Sequence, residues 1–301
     1  MKLGLRHIRY FIAVAEELHF RRAAEKLCIA QPALSRAIKE LESELDVLLF
    51  IRTNRSVQIT NAGKSFLEGC REVVNTVERT VENTRLAHSG QSGSLFIGYT
   101  DNAIAGNLPN LLRGFQAKQP RIALKPDHDV TVTQLQKLDA GELDIGFVTG
   151  PINIPGYEQH QIQSQEFVCI TYDSHPLARH KSLPLEALAH ENFVHGSPKD
   201  WEYFYSYLIP LCRRSGFIPR VVQEAVNTAG ILGLVACGMG ITILTKTEGE
   251  SISTGLTAIP LQGVNERLLT VAVWKSGEMS YPKKCFVDYI RRIPIPDVRV
   301  S

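Results

Sequence analysis

Side chains suited to nucleic-acid contacts lie close together around position 35. They are Gln31, Pro32, Ala33, Ser35, Arg36 and Lys39. An amide such as Gln31 can pair with an adenine edge and a guanidinium such as Arg36 with a guanine edge, each discriminating bases by about 1–3 kcal/mol. Pro32 and Ala33 can contact thymine methyl groups, and Ser35 suits a phosphate or a base edge. This chemistry requires a helix that presents all of these side chains on one face.

The elements before position 45 fit that requirement. Apolar residues at intervals of three and four predict helices over Leu5–Glu17, Arg21–Leu27 and Gln31–Glu44. Pro32 is tolerated in the first turn of the third helix, and its apolar stripe lies opposite the polar residues named above. Two short helices joined by a tight turn, the second amphipathic and basic on its outer side, are typical of a helix-turn-helix.

A hairpin wing is predicted directly after these helices. Two short β-prone stretches within Leu49–Thr60 are joined by a turn at Thr53–Ser56. Arg52 and Arg55 lie near the wing, where a guanidinium could enter the minor groove or bind phosphate. The alternative for any single arginine is an ordinary solvated position.

A long helix is predicted from about Ala62 to His88. Its apolar stripe consists of Phe66, Cys70, Val73, Val77, Val81 and Thr84. A long helix beside a small domain more often buries such a stripe against a second copy, so we expect a dimer contact here. The alternative is packing against its own domain. Ser89–Ser94 is rich in small residues and predicts a flexible boundary.

The remainder of the chain alternates between strand and helix patterns. The predicted strands are Leu95–Tyr99, Ile122–Lys125, Asp144–Val148, Glu166–Tyr172, Arg220–Glu224, Ile241–Thr245 and Leu268–Trp274. The predicted helices are Ala103–Gln119, Thr131–Ala140, Asp200–Arg214, Thr228–Cys237 and Tyr281–Ile293. This alternation predicts a parallel α/β sheet, whose ligands bind beyond the carboxyl ends of the strands. The length and a turn-rich stretch near 150–155 suggest two lobes with a cleft between them.

Composition excludes several classes of protein. The 301 residues carry a net charge of +2, which divides into +3 for residues 1–60, zero for 61–92 and −1 for the rest. The six cysteines show neither CxxC nor Cys/His spacing, so we expect no metal, no cofactor and no disulfide framework. The sequence contains no run of about 18 apolar residues and no secretory signal pattern at its start, so we expect a cytoplasmic protein.

The motifs resemble those of the LysR-type transcriptional regulators. The resemblance rests on Phe20–Leu27, Gln31–Ile38, Leu49–Arg52 and Ile59–Gly63 in the N-terminal part, and on Leu138–Phe147 and Leu234–Ile241 further along. It implies a winged helix-turn-helix domain at 1–60, a linker and dimerisation helix at 61–89, and an effector-binding domain of periplasmic-binding-protein type at 90–301. Lobe I would span about 93–160 and 266–301, and lobe II about 161–265. It points to Gln31, Pro32, Ser35, Arg36 and Arg55 as DNA contacts.

One motif departs from the family. His19-Phe20-Arg21 stands where the family commonly has Ser-Phe-Thr, so the hydroxyls that would cap the second helix and touch phosphate are missing. Histidine is a poor cap, and we expect His19 to cap badly. Arg21 could replace the lost phosphate contact with a charge, which would make DNA binding more salt-dependent.

The resemblance also implies a small-molecule effector held between the lobes. The matching positions are Thr100, Asn102, Thr131, His195, Ser197 and Phe204. Helix N-termini lined by hydroxyls suit a carboxylate, although each Thr or Ser could equally be a plain N-cap, and His195 could be structural. Asp101 would repel an anion unless it caps the following helix. The N-terminal motifs look most like members that control degradation of aromatic compounds, so we expect an aromatic acid or a ring-cleavage diacid.

Two alternatives remain at this point. A redox-responsive regulator of the same family could pair Cys212 with Cys237, although buried inert thiols are commoner. An enzyme is disfavoured, because Gly238-Met239-Gly240 is too short for a dinucleotide fingerprint and no Walker or GxSxG motif occurs. The expected protein is not an enzyme but a homodimer or homotetramer that binds inverted-repeat promoter DNA and senses an effector. Its sign of regulation, activator or repressor, stays open, and RNA polymerase is an expected partner only if it activates.

Overall fold

A computed structural model describes residues 4–52, 56–88, 93–246 and 254–294 of the chain. Backbone contacts divide the chain into two compact units, one comprising Met1–Ser89 and Asp139–Glu142, the other comprising Gly90–Leu138 and Leu143–Ser301. No helix in the described ranges is both long enough and apolar enough to cross a membrane.

The N-terminal unit is a winged helix-turn-helix followed by a long helix. Its helices are α1 (Leu5–Glu17), α2 (Phe20–Lys26), α3 (Gln31–Leu45) and α4 (Asn61–His88), and its wing is the antiparallel pair β1 (Phe50–Arg52) and β2 (Val57–Ile59). The helices pack their predicted apolar faces together around Phe11, Leu34, Ile38 and Phe50. Left-handed backbone at Leu18, Cys28 and Asp46 turns the chain after each of the first three helices.

Helix α4 only partly fits the prediction that its apolar stripe forms a dimer contact. Phe66 and Cys70 pack into the core of their own unit, and α4 lies against α1, so the alternative reading holds for this half of the stripe. Val73 and Val81 are 42% and 45% exposed. The apolar surface left for another molecule is therefore shorter than the sequence suggested.

The C-terminal unit is a two-lobed α/β structure. Its strands are β3 (Gly93–Tyr99), β4 (Ile122–His128), β5 (Ile145–Gly150), β6 (Tyr157–Tyr172), β7 (Leu183–Pro184), β8 (Asn192–His195), β9 (Arg220–Glu224), β10 (Thr242–Thr245), β11 (Leu256–Gln262) and β12 (Arg267–Lys275). Its helices are α5 (Asp101–Ala105), α6 (Leu108–Lys118), α7 (Thr131–Asp139), α8 (Glu202–Arg214), α9 (Thr228–Ala236) and α10 (Tyr281–Ile290), with short 3₁₀ turns at Pro176–Arg179 and Leu185–Leu188.

The main sheet is mixed, so the prediction of a parallel sheet is wrong. Strand β3 pairs in parallel with β4 and β5, but β12 pairs antiparallel with both β5 and β6. The chain runs from one lobe to the other along the 16 residues of β6 and returns along β12, and two strands that run in opposite directions must pair antiparallel. Strands β10 and β11 then pair with the far half of β6.

The predicted helix Ala103–Gln119 is also wrong, because the structure breaks it into α5 and α6. A side-chain amide occupies the break: Oε1 of Gln163 accepts the backbone N–H of Asn107 at 2.6 Å. A Cβ at Gly106 would lie 2.1 Å from that same oxygen, so a larger residue there would displace the amide. The amide replaces a helical hydrogen bond with a tertiary one, which an apolar periodicity does not reveal.

Candidate functional sites

The outer face of α3 presents the predicted reading residues. Leu34, Ile38 and Leu41 anchor its inner side in the core, while most of the predicted contacts are exposed and Ser35 is half-buried. The exposed ones are Gln31, Pro32, Ala33, Arg36 and Lys39. Among the described residues, Arg36 pairs with Glu40 alone, one turn along the same helix, at 3.1 Å. Because an exposed pair of this kind contributes little, the guanidinium is free to leave it for DNA.

Arg52 lies in a structural ion pair, which gives its guanidinium a role besides the predicted DNA contact. Its Nη2 lies 2.5 Å from Oε2 of Glu42, and its guanidinium stacks over the ring of Phe20. Glu42 is 7% exposed, and its other oxygen accepts the backbone N–H groups of Leu49 and Phe50. Arg52 therefore neutralises a buried carboxylate that ties α3 to the wing. Arg55 lies outside the described residues.

His19 caps the second helix through a long hydrogen bond. Its Nδ1 accepts the backbone N–H of Arg22 at 3.4 Å, so the imidazole occupies the place of the family's hydroxyl at the start of α2. Arg21 is exposed and pairs with Glu25 at 3.0 Å across one helical turn. Its guanidinium is available at the surface, as a phosphate contact requires.

A cleft opens between the lobes at the carboxyl ends of β3, β4 and β5. Lobe I supplies the starts of α5 and α7, and lobe II supplies the starts of α8 and α9. The lining residues are Thr100, Asp101, Asn102, His128, Asp129, Val130, Thr131, Thr149, Asp200, Trp201, Tyr203, Phe204, Val226 and Thr228.

Aromatic rings form one wall of the cleft. Trp201 and Phe204 meet edge to face with ring centroids 5.5 Å apart. Trp201 also approaches the backbone so closely that a Cβ at Gly196 would lie 2.2 Å from its ring. A flat ring of a ligand can pack against such a wall, because aromatic pairs favour offset and edge-on contacts.

Asp101 joins the two lobes across the cleft. One carboxylate oxygen lies 2.6 Å from Nε2 of His128, and the other accepts the backbone N–H of Thr228 at 2.6 Å. Thr228 begins α9, so a carboxylate of lobe I caps a helix of lobe II, where its negative charge is favourable. Asp101 thus has a capping role, as expected, but on α9 instead of the helix that follows it.

Four of the six predicted effector residues line the cleft, namely Thr100, Asn102, Thr131 and Phe204. Thr100 also caps α5, and the hydroxyl of Thr131 accepts the backbone N–H of Thr149 at 3.1 Å. Ser197 does not line the cleft, since its hydroxyl donates to the carboxylate of Asp200 at 2.8 Å. Both readings of these hydroxyls, cap and lining residue, therefore hold for Thr100.

His195 does not face the cleft. It is fully buried on β8, where its ring contacts Trp201, Phe204 and Tyr205. Its Nε2 pairs with the carbonyl of Ile243 at 3.2 Å, and its Nδ1 accepts the N–H of Gly196. Burial lowers the pKa of His195 to about 4, so the imidazole is neutral near pH 7. It supports the aromatic wall from behind.

Sequence reasoning missed much of the lining. His128 is the last residue of β4, Asp129 directly follows it, and Thr149 lies near the end of β5, so the rule that ligands bind at the carboxyl ends of strands could have found all three. Trp201 and Tyr203 lie at the start of α8, in an aromatic run that also reads as core.

The cysteines give no support to a redox site. Every cysteine is free, and Cys212 is buried whereas Cys237 is exposed. Burial raises the pKa of the thiols of Cys169 and Cys212 to about 12, which leaves them poor nucleophiles. In the described ranges no cluster of His, Cys, Asp and Glu could hold a metal ion.

Family models match both units. The model for the bacterial regulatory helix-turn-helix protein of the lysR family matches residues 5–64, and the model for the LysR substrate binding domain matches residues 88–293. The chain belongs to the LysR family of transcriptional regulators. Regulators of this family bind DNA and carry an effector-binding domain, and the prediction against an enzyme is confirmed by relatives that are all named as transcriptional regulators.

Sequence similarity to other regulators covers most of the length of this LysR regulator. AlsR of Bacillus subtilis (strain 168) is 34% identical over 85% of this chain and 84% of its own. The Hca operon transcriptional activator HcaR of Escherichia coli (strain K12) is 30% identical over 96% and 97%. The crystal structure of full-length CbnR complexed with target DNA is similar with a TM-score of 0.76, at 25% identity over 96% of this chain and 99% of that one. These similarities confirm the N-terminal helix-turn-helix and the two-lobed α/β domain.

Proposed function

We propose that this protein is a sequence-specific regulator whose helix α3 reads promoter DNA in the major groove, under the control of a small molecule bound in the cleft. The observation that carries the DNA-reading role is the outer face of α3, where Gln31 and Arg36 are exposed while Leu34 and Ile38 fix the helix in the core. An amide and a guanidinium that are both exposed on the same helix suit an adenine and a guanine edge.

The cleft supports the effector role. It lies between the lobes, and Trp201 and Phe204 offer an apolar aromatic wall. An effector whose affinity differs between two arrangements of the lobes shifts their populations, which is the requirement for allosteric control. The aromatic wall supports the ring of the aromatic effector that the sequence predicts.

The proposed reading of promoter DNA also bears on the oligomeric state. We propose a homo-oligomer, a dimer or tetramer, in which two DNA-binding domains (residues 1–60, here called the heads) bind an inverted-repeat site together, since two-fold operators mirror two-fold proteins. Acting on a bacterial promoter places the protein in the cytoplasm and, if it activates, beside RNA polymerase. The apolar groove beside α4 that would hold the second copy is lined by residues including Leu45, Val47, Leu49, Phe66 and Val73.

Footprinting and binding assays on the regulated promoter test the DNA-reading role. Gln31→Ala and Arg36→Ala should each weaken binding to the specific site about tenfold or more, because each removes a bidentate base contact of about 1–3 kcal/mol. Arg113→Ala, which removes a positive charge from the other unit, is the control and should leave affinity unchanged. Equal loss on specific and random DNA would show that α3 does not read sequence.

The contribution of Arg21 is measured in the same assay. Arg21→Thr should reduce the slope of log affinity against log salt by about one, because one phosphate contact is lost. An unchanged slope would exclude the contact.

Footprints that are identical with and without effector would reject control of DNA binding by the cleft.

A further inference from the structure

The charge of the cleft is opposite to what an acidic effector needs. Three of its lining residues carry carboxylates: Asp101, Asp129 and Asp200. The described lining contains neither arginine nor lysine, and its single imidazole, His128, already pairs with Asp101 at 2.6 Å. A carboxylate entering the cleft would therefore meet like charges without a free cationic partner.

The three carboxylates differ in how well the protein neutralises them. Asp129 is bound by the ammonium of Lys137, which also bonds Asp127 at 2.6 Å. Asp101 has its imidazole and a helix N-terminus. Asp200 accepts only a serine hydroxyl, that of Ser197, among the contacts of the described residues. The least compensated charge thus lies at Asp200, the residue before Trp201 in the lining of the cleft.

A second observation points to a ligand with hydrogen-bonding groups. Thr149 is 6% exposed and lines the cleft, and within the described ranges its hydroxyl has no hydrogen-bond partner. Its oxygen is not among the fully buried, unpartnered side-chain atoms, so water reaches it from the cleft, and a polar group of a ligand can take the place of that water. The N-terminus of α9 cannot serve an anionic ligand in the same way, because Asp101 already takes the N–H of Thr228.

We propose that the effector is an aromatic amine, not an aromatic carboxylic acid. Its ring packs on Trp201 and Phe204, its ammonium group lies against Asp200, and the hydroxyl of Thr149 bonds a polar substituent. This inference rests on the proposed role of the cleft as the effector site. It replaces the aromatic acid that the resemblance implied, since the ring finds its wall and the acid finds no cation.

Calorimetry on the full chain with three matched probes tests the charge preference. The probes are 2-phenylethylamine, 3-phenylpropanamide and 3-phenylpropanoate, which share a ring and a two-carbon spacer. We expect the amine to bind most tightly and the carboxylate to bind at least about tenfold more weakly, since a like charge near Asp200 opposes it. Tighter binding of the carboxylate, or no binding of the amine at millimolar concentration, overturns the proposal.

Variants locate the binding. Asp200→Asn should weaken the amine about tenfold and leave the amide nearly unchanged, because only the charge is removed. Asp288→Asn, on the exposed side of α10, is the matched control and should change nothing. Gly196→Ala forces Trp201 from its position and should weaken all three probes. Amine binding that survives both Asp200→Asn and Gly196→Ala would place the amine elsewhere and overturn the proposal.

The outcomes also separate this inference from the proposed function. If the carboxylate binds more tightly than the amine, and Gly196→Ala abolishes that binding, the cleft remains an effector site and only the amine is wrong. If no probe binds but footprints still change with cell extract, the amine proposal fails alone. Loss of the DNA-reading role would appear instead in the Arg36→Ala and Gln31→Ala assays, which do not involve the cleft.

Discussion

At the scale of single residues, charge has a structural role where the sequence suggested DNA contact. Glu42 is buried and receives three partners: the backbone N–H groups of Leu49 and Phe50 and the guanidinium of Arg52. Glu42 thus connects α3 to the start of the wing, because its Oε1 accepts both of these N–H groups. A pattern of basic residues does not show this, because Arg52 looks the same in a sequence whether it meets a phosphate or a carboxylate.

Removing the carboxylate of Glu42 should lower the stability of the N-terminal unit more than removing an exposed carboxylate does. Glu42→Ala leaves two backbone donors and a guanidinium without their partner, so we expect the N-terminal unit to lose about 3–5 kcal/mol of stability. Urea denaturation followed by circular dichroism measures the loss. Glu40→Ala, which breaks the exposed pair with Arg36, should cost less than about 1 kcal/mol. Equal effects of the two substitutions would contradict the structural role of Glu42.

At the scale of elements, β8 and α8 enclose an imidazole that must stay neutral. Burial lowers the pKa of His195 from 6.5 to about 4. Between these values the unfolded chain binds a proton that the folded chain does not, so stability falls as the pH falls from about 6.5 to 4. The loss reaches about 3 kcal/mol at 1.36 kcal/mol per pKa unit.

Denaturation curves of the full chain at pH 7 and pH 4.5 measure this loss. His195→Phe keeps a ring among Trp201, Phe204 and Tyr205, and should reduce the decline in stability of the C-terminal unit between these pH values. His180→Phe, at an exposed position, is the control and should show the decline of the unsubstituted protein. If His195→Phe declines as steeply, the imidazole does not set the acid sensitivity.

The secondary-structure elements show how much of the fold could be predicted from the sequence. The helix-turn-helix could be predicted closely, because α1 and α3 carry strong apolar periodicity and local signals end them. Strand β6 was predicted only from Glu166 onward, since its first half is rich in glutamine and pairs with β12 through backbone bonds that no side-chain pattern reveals. In the cleft, Thr100 and Thr131 could be predicted from strand ends, whereas Asp101 acts through a helix 127 residues later.

At the scale of the whole molecule, a weakly basic head needs a partner. Residues 1–60 carry a net charge of only +3, and Arg52 among them is neutralised by Glu42. One such head has little charge with which to hold a polyanion, because nonspecific affinity grows with the number of phosphates neutralised. Two linked heads bind with an effective concentration that multiplies their affinities, commonly by about 10²–10⁴.

The exposed valines of α4 are where such linkage is best tested. Val73 lines the apolar groove and is 42% exposed, so we expect it to meet a second copy. Val73→Asp should shift the protein toward monomer in sedimentation velocity and weaken operator binding about 100-fold, while binding to a single half-site stays the same. Glu78→Lys, five residues on and turned by about 140° around the helix, is the control and should remain oligomeric. A Val73→Asp protein that keeps both its oligomeric state and its operator affinity would place the dimer contact elsewhere, and the weak charge of the head would then require DNA contacts beyond those of α3.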